Sequence, residues 1–322
     1  MFKEVGLVAK VSRSEFLLPN LGSLIMGLAW GAHPPLSLVN GTVLIVLSFI
    51  VINLSSAIGA QANTLFDHDL DSKDDRKVQL VRASESFGQK RLRILLFIES
   101  IVALLVVSLF SLIQGKPILL LMWAAGICLG YVYSAPPLRL KSRSWLAPIS
   151  LILVLAVFPV LFAYYTLSSQ VDSLFLLSLT GLTLTVYGVI VPTEIRDYFG
   201  DRAMGIETLT VRLGLVKASL LAILLLSIGA TLTGAALFLE WFRGPRPMLS
   251  LLLLAIPVAV ITVLLKLRML YSLSREHESS DDQSSIAEEI VNLSAHNPQW
   301  IMMVTQTYSI LSIILLVNKF VA

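Results

Sequence analysis

The chain has 322 residues, 56% of them hydrophobic and only 14% charged, with a net charge of +3 and a mean hydropathy of +0.82. Soluble domains carry roughly 25% charged residues. The composition therefore excludes a water-soluble enzyme and argues against a nucleic-acid binder, and it predicts an all-α integral membrane protein.

Nine apolar stretches approach the ~20 residues that cross a hydrocarbon layer. They lie near 16–32, 42–62, 94–113, 117–134, 147–167, 174–193, 217–240, 248–270 and 300–318. The first follows basic residues, as a signal peptide would, but eight further spans favour a retained anchor. The second ends in an acidic cluster, Asn63-Thr-Leu-Phe-Asp67-His-Asp-Leu-Asp71, and continues into a polar loop of mixed charge over 67–93. The third contains Glu99, an acid inside an apolar run, expected to pair with a neighbouring helix or to sit near the interface. The fourth holds the lone Cys128, so no intramolecular disulfide can form, and no Cys/His spacing suggests zinc. It ends in Tyr131-Val-Tyr133-Ser-Ala-Pro-Pro-Leu-Arg139-Leu-Lys141.

The sixth span reaches Pro192, a residue that breaks or kinks a helix, and is followed by Glu194-Ile-Arg-Asp197-Tyr-Phe-Gly-Asp201. That cluster opens a second polar segment, 194–216. A third, 272–299, is rich in Ser, Asp and Glu; it is expected to be a flexible, solvated connector that turns helical after Ser285. The whole chain, 1–322, is expected to be one transmembrane domain, with these three segments forming its cap.

Of the 24 Lys and Arg residues, 20 fall on the side of the N-terminus; the other side holds Lys116, Arg243, Arg246 and Lys319. The positive-inside rule makes the rich side cytoplasmic. Both acidic clusters face it, so the site is expected at one interface. A transporter would need carboxylates at mid-depth and on both faces, which disfavours that reading.

In each cluster two aspartates lie four residues apart, so on a helix both carboxylates face the same way. Asn63, Asp67, Asp71 and Asp75 form a polar stripe, and Asp197 and Asp201 a second pair. Two such pairs facing each other suit a hard divalent cation such as Mg²⁺, which takes a few carboxylates and completes its shell with water and phosphate oxygens. Carboxylates alone would repel a diphosphate, so basic side chains are expected beside them: Arg76 and Lys77 after the first cluster, Arg139 and Lys141 after the fourth span. An extended segment after Pro137 would point Arg139 and Lys141 the same way.

The two DxxxD pairs, the Gly205-x-x-Thr208 and Val211-Arg212-Leu-Gly214 that follow the second, and Tyr133-Ser-x-Pro-Pro-x-Arg-Leu-Lys141 together resemble the UbiA superfamily of intramembrane prenyltransferases. The resemblance spans nearly the whole chain. It implies nine helices around a central cavity and Mg²⁺-dependent binding of a polyprenyl diphosphate under a cytoplasmic cap. It carries the first metal motif onto Asn63, Asp67 and Asp71, the second onto Asp197 and Asp201, and basic diphosphate contacts onto Arg76 and Lys141. The chain lacks the Arg-Pro pair that many members place after the first motif, reading Arg76-Lys-Val instead.

The expected reaction transfers the polyprenyl group to an aromatic, tetrapyrrole or other lipophilic acceptor in the membrane. Tyr131, Tyr133, Tyr187 and Phe158 are the candidate aromatic faces for an allylic cation. A cyclase on the same scaffold, which quenches the cation internally without an acceptor, is the alternative.

Overall fold

The computed structural model describes residues 2–14, 17–33, 38–72, 77–243, 247–280 and 283–320, and they are almost entirely helical. In chain order the helices are α1 (Phe2–Val11), α2 (Leu17–Gly31), α3 (Leu38–Phe66), α4 (His68–Asp71), α5 (Val78–Phe87), α6 (Gln89–Gln114) and α7 (Pro117–Ser134). They continue with α8 (Leu146–Ile152), α9 (Phe158–Leu167), α10 (Ser173–Ala203), α11 (Leu209–Leu213), α12 (Leu215–Phe242), α13 (Ala255–Ser279), α14 (Gln283–Ser294) and α15 (Asn297–Phe320). A π-helical turn, Leu153–Val157, joins α8 to α9.

Eight helical segments among the described residues are long and apolar enough to cross a membrane; the first predicted span is the shorter apolar helix Leu21–Gly31 within α2. The apolar runs of the sequence thus map onto helices in order, but several ends differ. Pro192 lies inside α10 and does not end it, so the helix carries the second acidic pair out to Ala203. Loss of one i→i−4 bond is tolerated when packing holds the rest of the helix. The stretch after 272 is also helical: α13 runs through Ser279 because Leu267, Leu270 and Ser274 continue a buried stripe. In α14, Ile286, Ile290 and Ser294 form another. The loop expected over 67–93 is largely α4, α5 and the start of α6.

Lipid is as apolar as leucine, so membrane helices associate through small residues that let backbones approach. The contact of α10 with α12 is built this way. A Cβ on Gly229 would stand 2.5 Å from the Thr185 nitrogen, and one on Gly181 would stand 2.5 Å from the Thr233 nitrogen. Helix α2 is wedged similarly: a Cβ on Gly27 would meet the Val160 carbonyl at 2.4 Å, and one on Gly31 the Tyr164 carbonyl at 2.5 Å. Gly229→Val is expected to force α10 and α12 apart and to cost at least the ~1–3 kcal/mol of an overpacked core. The check is a lowered midpoint for thermal unfolding in detergent, with Leu224→Val on the exposed face of α12 as the neutral control.

Polar side chains tie the helices at both ends. At the end away from the acidic clusters, Lys319 on α15 donates to the carbonyls of Ala29 (3.2 Å) and Trp30 (3.3 Å) on α2 and pairs with Glu240 on α12 at 3.4 Å. Lys116 donates to the carbonyls of Tyr165 (2.9 Å) and Ser168 (3.0 Å), closing the end of α9. Toward the other end, Glu99 on α6 accepts from buried Gln61 on α3 at 2.7 Å, and the Gln61 amide also reaches Ser12 at 2.8 Å. The intramembrane acid therefore pairs with a neighbouring helix.

Candidate active site

The first acidic cluster is the end of α3, one bend, and the single turn of α4. The Asp67 amide bonds the Asn63 carbonyl (2.9 Å) and the Asp71 amide bonds the Asp67 carbonyl (2.7 Å). The i→i+4 register thus survives the bend and keeps Asn63, Asp67 and Asp71 on one face. Asp67 and Asp71 are each only 3% exposed, a placement that requires partners. Asp67 receives Arg139 Nη2 at 3.2 Å and Lys141 Nζ in a second, close ion pair. Asp71 pairs with Lys77 at 2.6 Å. Asn63 donates to Ser134 Oγ (3.0 Å) and accepts from Arg13 (3.3 Å).

Arg139 and Lys141 converge on Asp67, but not through an extended strand. Arg139 is left-handed (φ 39°) and Leu140–Ser142 is a 3₁₀ turn; the turn, rather than strand alternation, brings the two cations to one carboxylate. Burial pulls the Lys141 ammonium below the ordinary lysine range, and the Asp67 carboxylate beside it pulls back.

The second cluster lies on the last turns of α10. Asp197 and Asp201 share a face, and Arg196 Nε pairs with Asp197 at 3.1 Å. Glu194 accepts from Thr210 Oγ1 (2.8 Å) and from Tyr187 (3.4 Å). Gly205, at φ 68°, supplies the left-handed turn after the cluster, and Thr208 caps α11 by accepting from the Val211 amide.

Two observations bring the clusters to the same end of the bundle. Tyr133 lies within electrostatic reach of both Glu194 and Asp67, and Tyr187 within reach of Tyr133. The segment bearing Arg139 and Lys141 is also stitched to the loop after the second cluster: the Ser144 amide donates to the Glu207 carbonyl at 3.2 Å, and Ser144 forms an isolated parallel bridge with Thr208.

Asn63, Asp67, Asp71, Tyr133, Arg139 and Lys141 are therefore neighbours, with Asp197 and Asp201 on α10 interacting with Glu194. Asp75 and Arg76 lie outside the described residues. Tyr131 turns away: it is 45% exposed and sits edge-on to Phe66. Phe158 packs toward Gly126 on α7. Lys77, Glu194 and Tyr187, which the sequence placed beside the two clusters, do stand there. Two residues close to the site were not assigned to it from the sequence. Thr210 follows the second motif within the Thr208–Gly214 string, so its spacing was a usable signal. Arg13 has no such signal, since it reaches Asn63 from 50 residues away.

The UbiA prenyltransferase family is matched over residues 17–273. The chain belongs to the UbiA prenyltransferase family. It is a multi-pass membrane member of this class of polyprenyl transferases. It is 30% identical over 257 residues to a lycopene elongase/hydratase of Halobacterium salinarum, an alignment covering 79% of this chain and 84% of that protein. It is 31% identical over 150 residues to the chloroplastic chlorophyll synthase of Oryza sativa subsp. japonica; that match covers 45% of this chain and spans only 38% of the plant protein. A UbiA homolog of Archaeoglobus fulgidus, solved bound to GPP and Mg²⁺, superposes with a TM-score of 0.61 at 19% identity, over 93% of this chain and 99% of that one. At that identity the likeness establishes the fold.

Among the described residues no three acidic or imidazole side chains gather tightly enough to enclose an ion. The side-chain acceptors of the two acidic clusters are nevertheless all oxygens, buried in the first and charge-balanced by Lys and Arg. That set suits a hard cation that leaves most of its shell to phosphate and water, and it lacks the Cys and His ligands that softer metals prefer.

Proposed function

We propose that this UbiA-family chain transfers a polyprenyl group from a polyprenyl diphosphate to a lipophilic acceptor inside the membrane, with Mg²⁺ as cofactor. The observation that carries the reading is the meeting of both acidic motifs at one end of the bundle, through Tyr133 and the Ser144–Thr208 bridge. The ligands and activities of the relatives agree with it.

The residues that would hold the metal are Asn63, Asp67, Asp71, Asp197 and Asp201, and bound Mg²⁺ would offset the negative charge of the diphosphate. Lys141, Arg139 and Lys77 already stand at the first motif; they would neutralise charge on the departing diphosphate. Arg76 is assigned the same task by the resemblance. Tyr133 and Tyr187 lie within electrostatic reach of the acidic groups, and their rings would stabilise an allylic cation formed there. Water must be kept from that cation, a role for the central cavity closed by the segments 67–93, 194–216 and 272–299. In this arrangement α2 is the ninth span, the chain is one domain over 1–322, and the N-terminus and both motifs face the cytoplasm.

The test is incubation of the purified protein in nanodiscs with geranylgeranyl diphosphate and a membrane lipid extract, followed by mass spectrometry. The expected result is an acceptor heavier by one prenyl group, formed only with Mg²⁺ and abolished by chelation. Product formation that is unchanged by chelation would overturn the metal assignment. A hydrocarbon or alcohol released from the diphosphate alone would make the protein a cyclase.

A further inference from the structure

Outside the acidic site, the bundle has a groove of about 460 Å³ between α3, α6 and α7. Its floor is a stripe of α6: Arg93, Leu96, Phe97 and Ser100, at the i, i+3, i+4 and i+7 spacing of one helix face. Leu65 and Phe66 from α3 and Tyr131 from α7 form the walls. Phe66 and Tyr131 meet edge-on, with ring centroids 5.3 Å apart. The Ser100 hydroxyl is satisfied by the Leu96 carbonyl at 2.7 Å, and Glu99 points instead to Gln61. The groove is thus apolar except for the Arg93 guanidinium and the Tyr131 hydroxyl.

We propose that this groove binds one anionic phospholipid, its phosphate on Arg93 and an acyl chain along Leu96, Phe97 and the Phe66–Tyr131 pair. Three features favour that occupant. Arg93 is exposed and among the described residues has no carboxylate partner, whereas an arginine is well shaped to grip phosphate. The single cation matches the single charge of a phosphodiester; a prenyl diphosphate carries more negative charge and no acidic or metal-holding group lines the groove. Lys90 and Arg91 also stand exposed on the first turn of α6, and Glu4 offsets only Arg91, at 3.7 Å. This excess of positive charge repels a choline ammonium and attracts anionic headgroups, at about 1 kcal/mol per basic residue. The lipid would lie against Phe66, the residue preceding Asp67, although its binding is independent of the transfer reaction.

The experiment is native mass spectrometry of the delipidated full-length protein titrated with phosphatidylglycerol or phosphatidylcholine of equal chain length. The wild type is expected to retain one phosphatidylglycerol on the order of fivefold more tightly than phosphatidylcholine. Arg93→Gln should erase that preference, Phe97→Ser should weaken both lipids, and Lys217→Gln, an exposed cation on α12, should change nothing. Arg93 and Phe97 are exposed, so unfolding temperatures should match the wild type. Equal retention of the two lipids by the wild type, or an undiminished preference in Arg93→Gln, would overturn the proposal. Displacement of phosphatidylglycerol by geranylgeranyl diphosphate, in the wild type but not in Arg93→Gln, would also overturn it by making the groove a substrate site.

Discussion

Replacing Asp67 by Asn is expected to lower turnover by about 10²–10³-fold and, separately, to destabilise the fold. The carboxylate is buried and faces both Arg139 and Lys141; removing one partner of a buried ion pair leaves the others uncompensated, at about 3–5 kcal/mol. Asp201→Asn is expected to lose comparable turnover. The two variants should part company in stability, because Asp201 lies at the partly exposed end of α10 and its removal strands less buried charge. Turnover measured beside thermal unfolding in the same nanodiscs separates the effects. Near-normal Mg²⁺-dependent activity in either variant would remove that residue from the site.

Lys141→Met should be the next most damaging change, lowering kcat/KM by about 10²-fold, since the charge-assisted contact to the leaving diphosphate proposed for Lys141 would be lost. Burial holds the Lys141 ammonium below the usual lysine range, with Asp67 opposing the shift. The group is charged and useful below its pKa and neutral above it. Activity should therefore decline on the alkaline side at a lower pH than an ordinary lysine would impose. Lys141→Arg keeps the charge at all accessible pH values, so it should retain part of the rate and move that decline upward. An alkaline limb at the same pH in Lys141→Arg would show that another group titrates.

Much of the architecture was legible because lipid simplifies the code: a membrane helix must be apolar over a fixed length, so the spans appear as runs. The acidic pairs were legible for a similar reason, since a four-residue spacing has one meaning on a helix. The errors arose where tertiary packing overrules local preference. Pro192 signals a stop, yet the close packing of α10 against α12 carries the helix past it. The Ser/Glu-rich stretch after 272 looks solvated, yet a single buried face suffices to keep it helical. Arg139 and Lys141 were paired correctly by spacing through the wrong geometry, because a left-handed residue followed by a 3₁₀ turn leaves no pattern in one sequence. The contact of Arg13 with Asn63, and of Ser134 with the same side chain, depends on folding distant segments together and has no local trace.

The glycine-lined contact of α10 with α12 has a mechanical consequence. Backbones in direct contact leave little room for sliding, so the second acidic pair is mounted on a stiff post. The first pair hangs from α3, whose outer surface is largely exposed through Val43, Val46, Phe49 and Ile50, and which is tied to its surroundings near the site by polar contacts. When a ligand bridges the two, compliance should reside in the α3 half, and the fixed half should set the geometry to which it adjusts. Amide exchange would register this as early protection on α10 and a ligand-dependent slowing confined to the turns around Asn63 and Asp71.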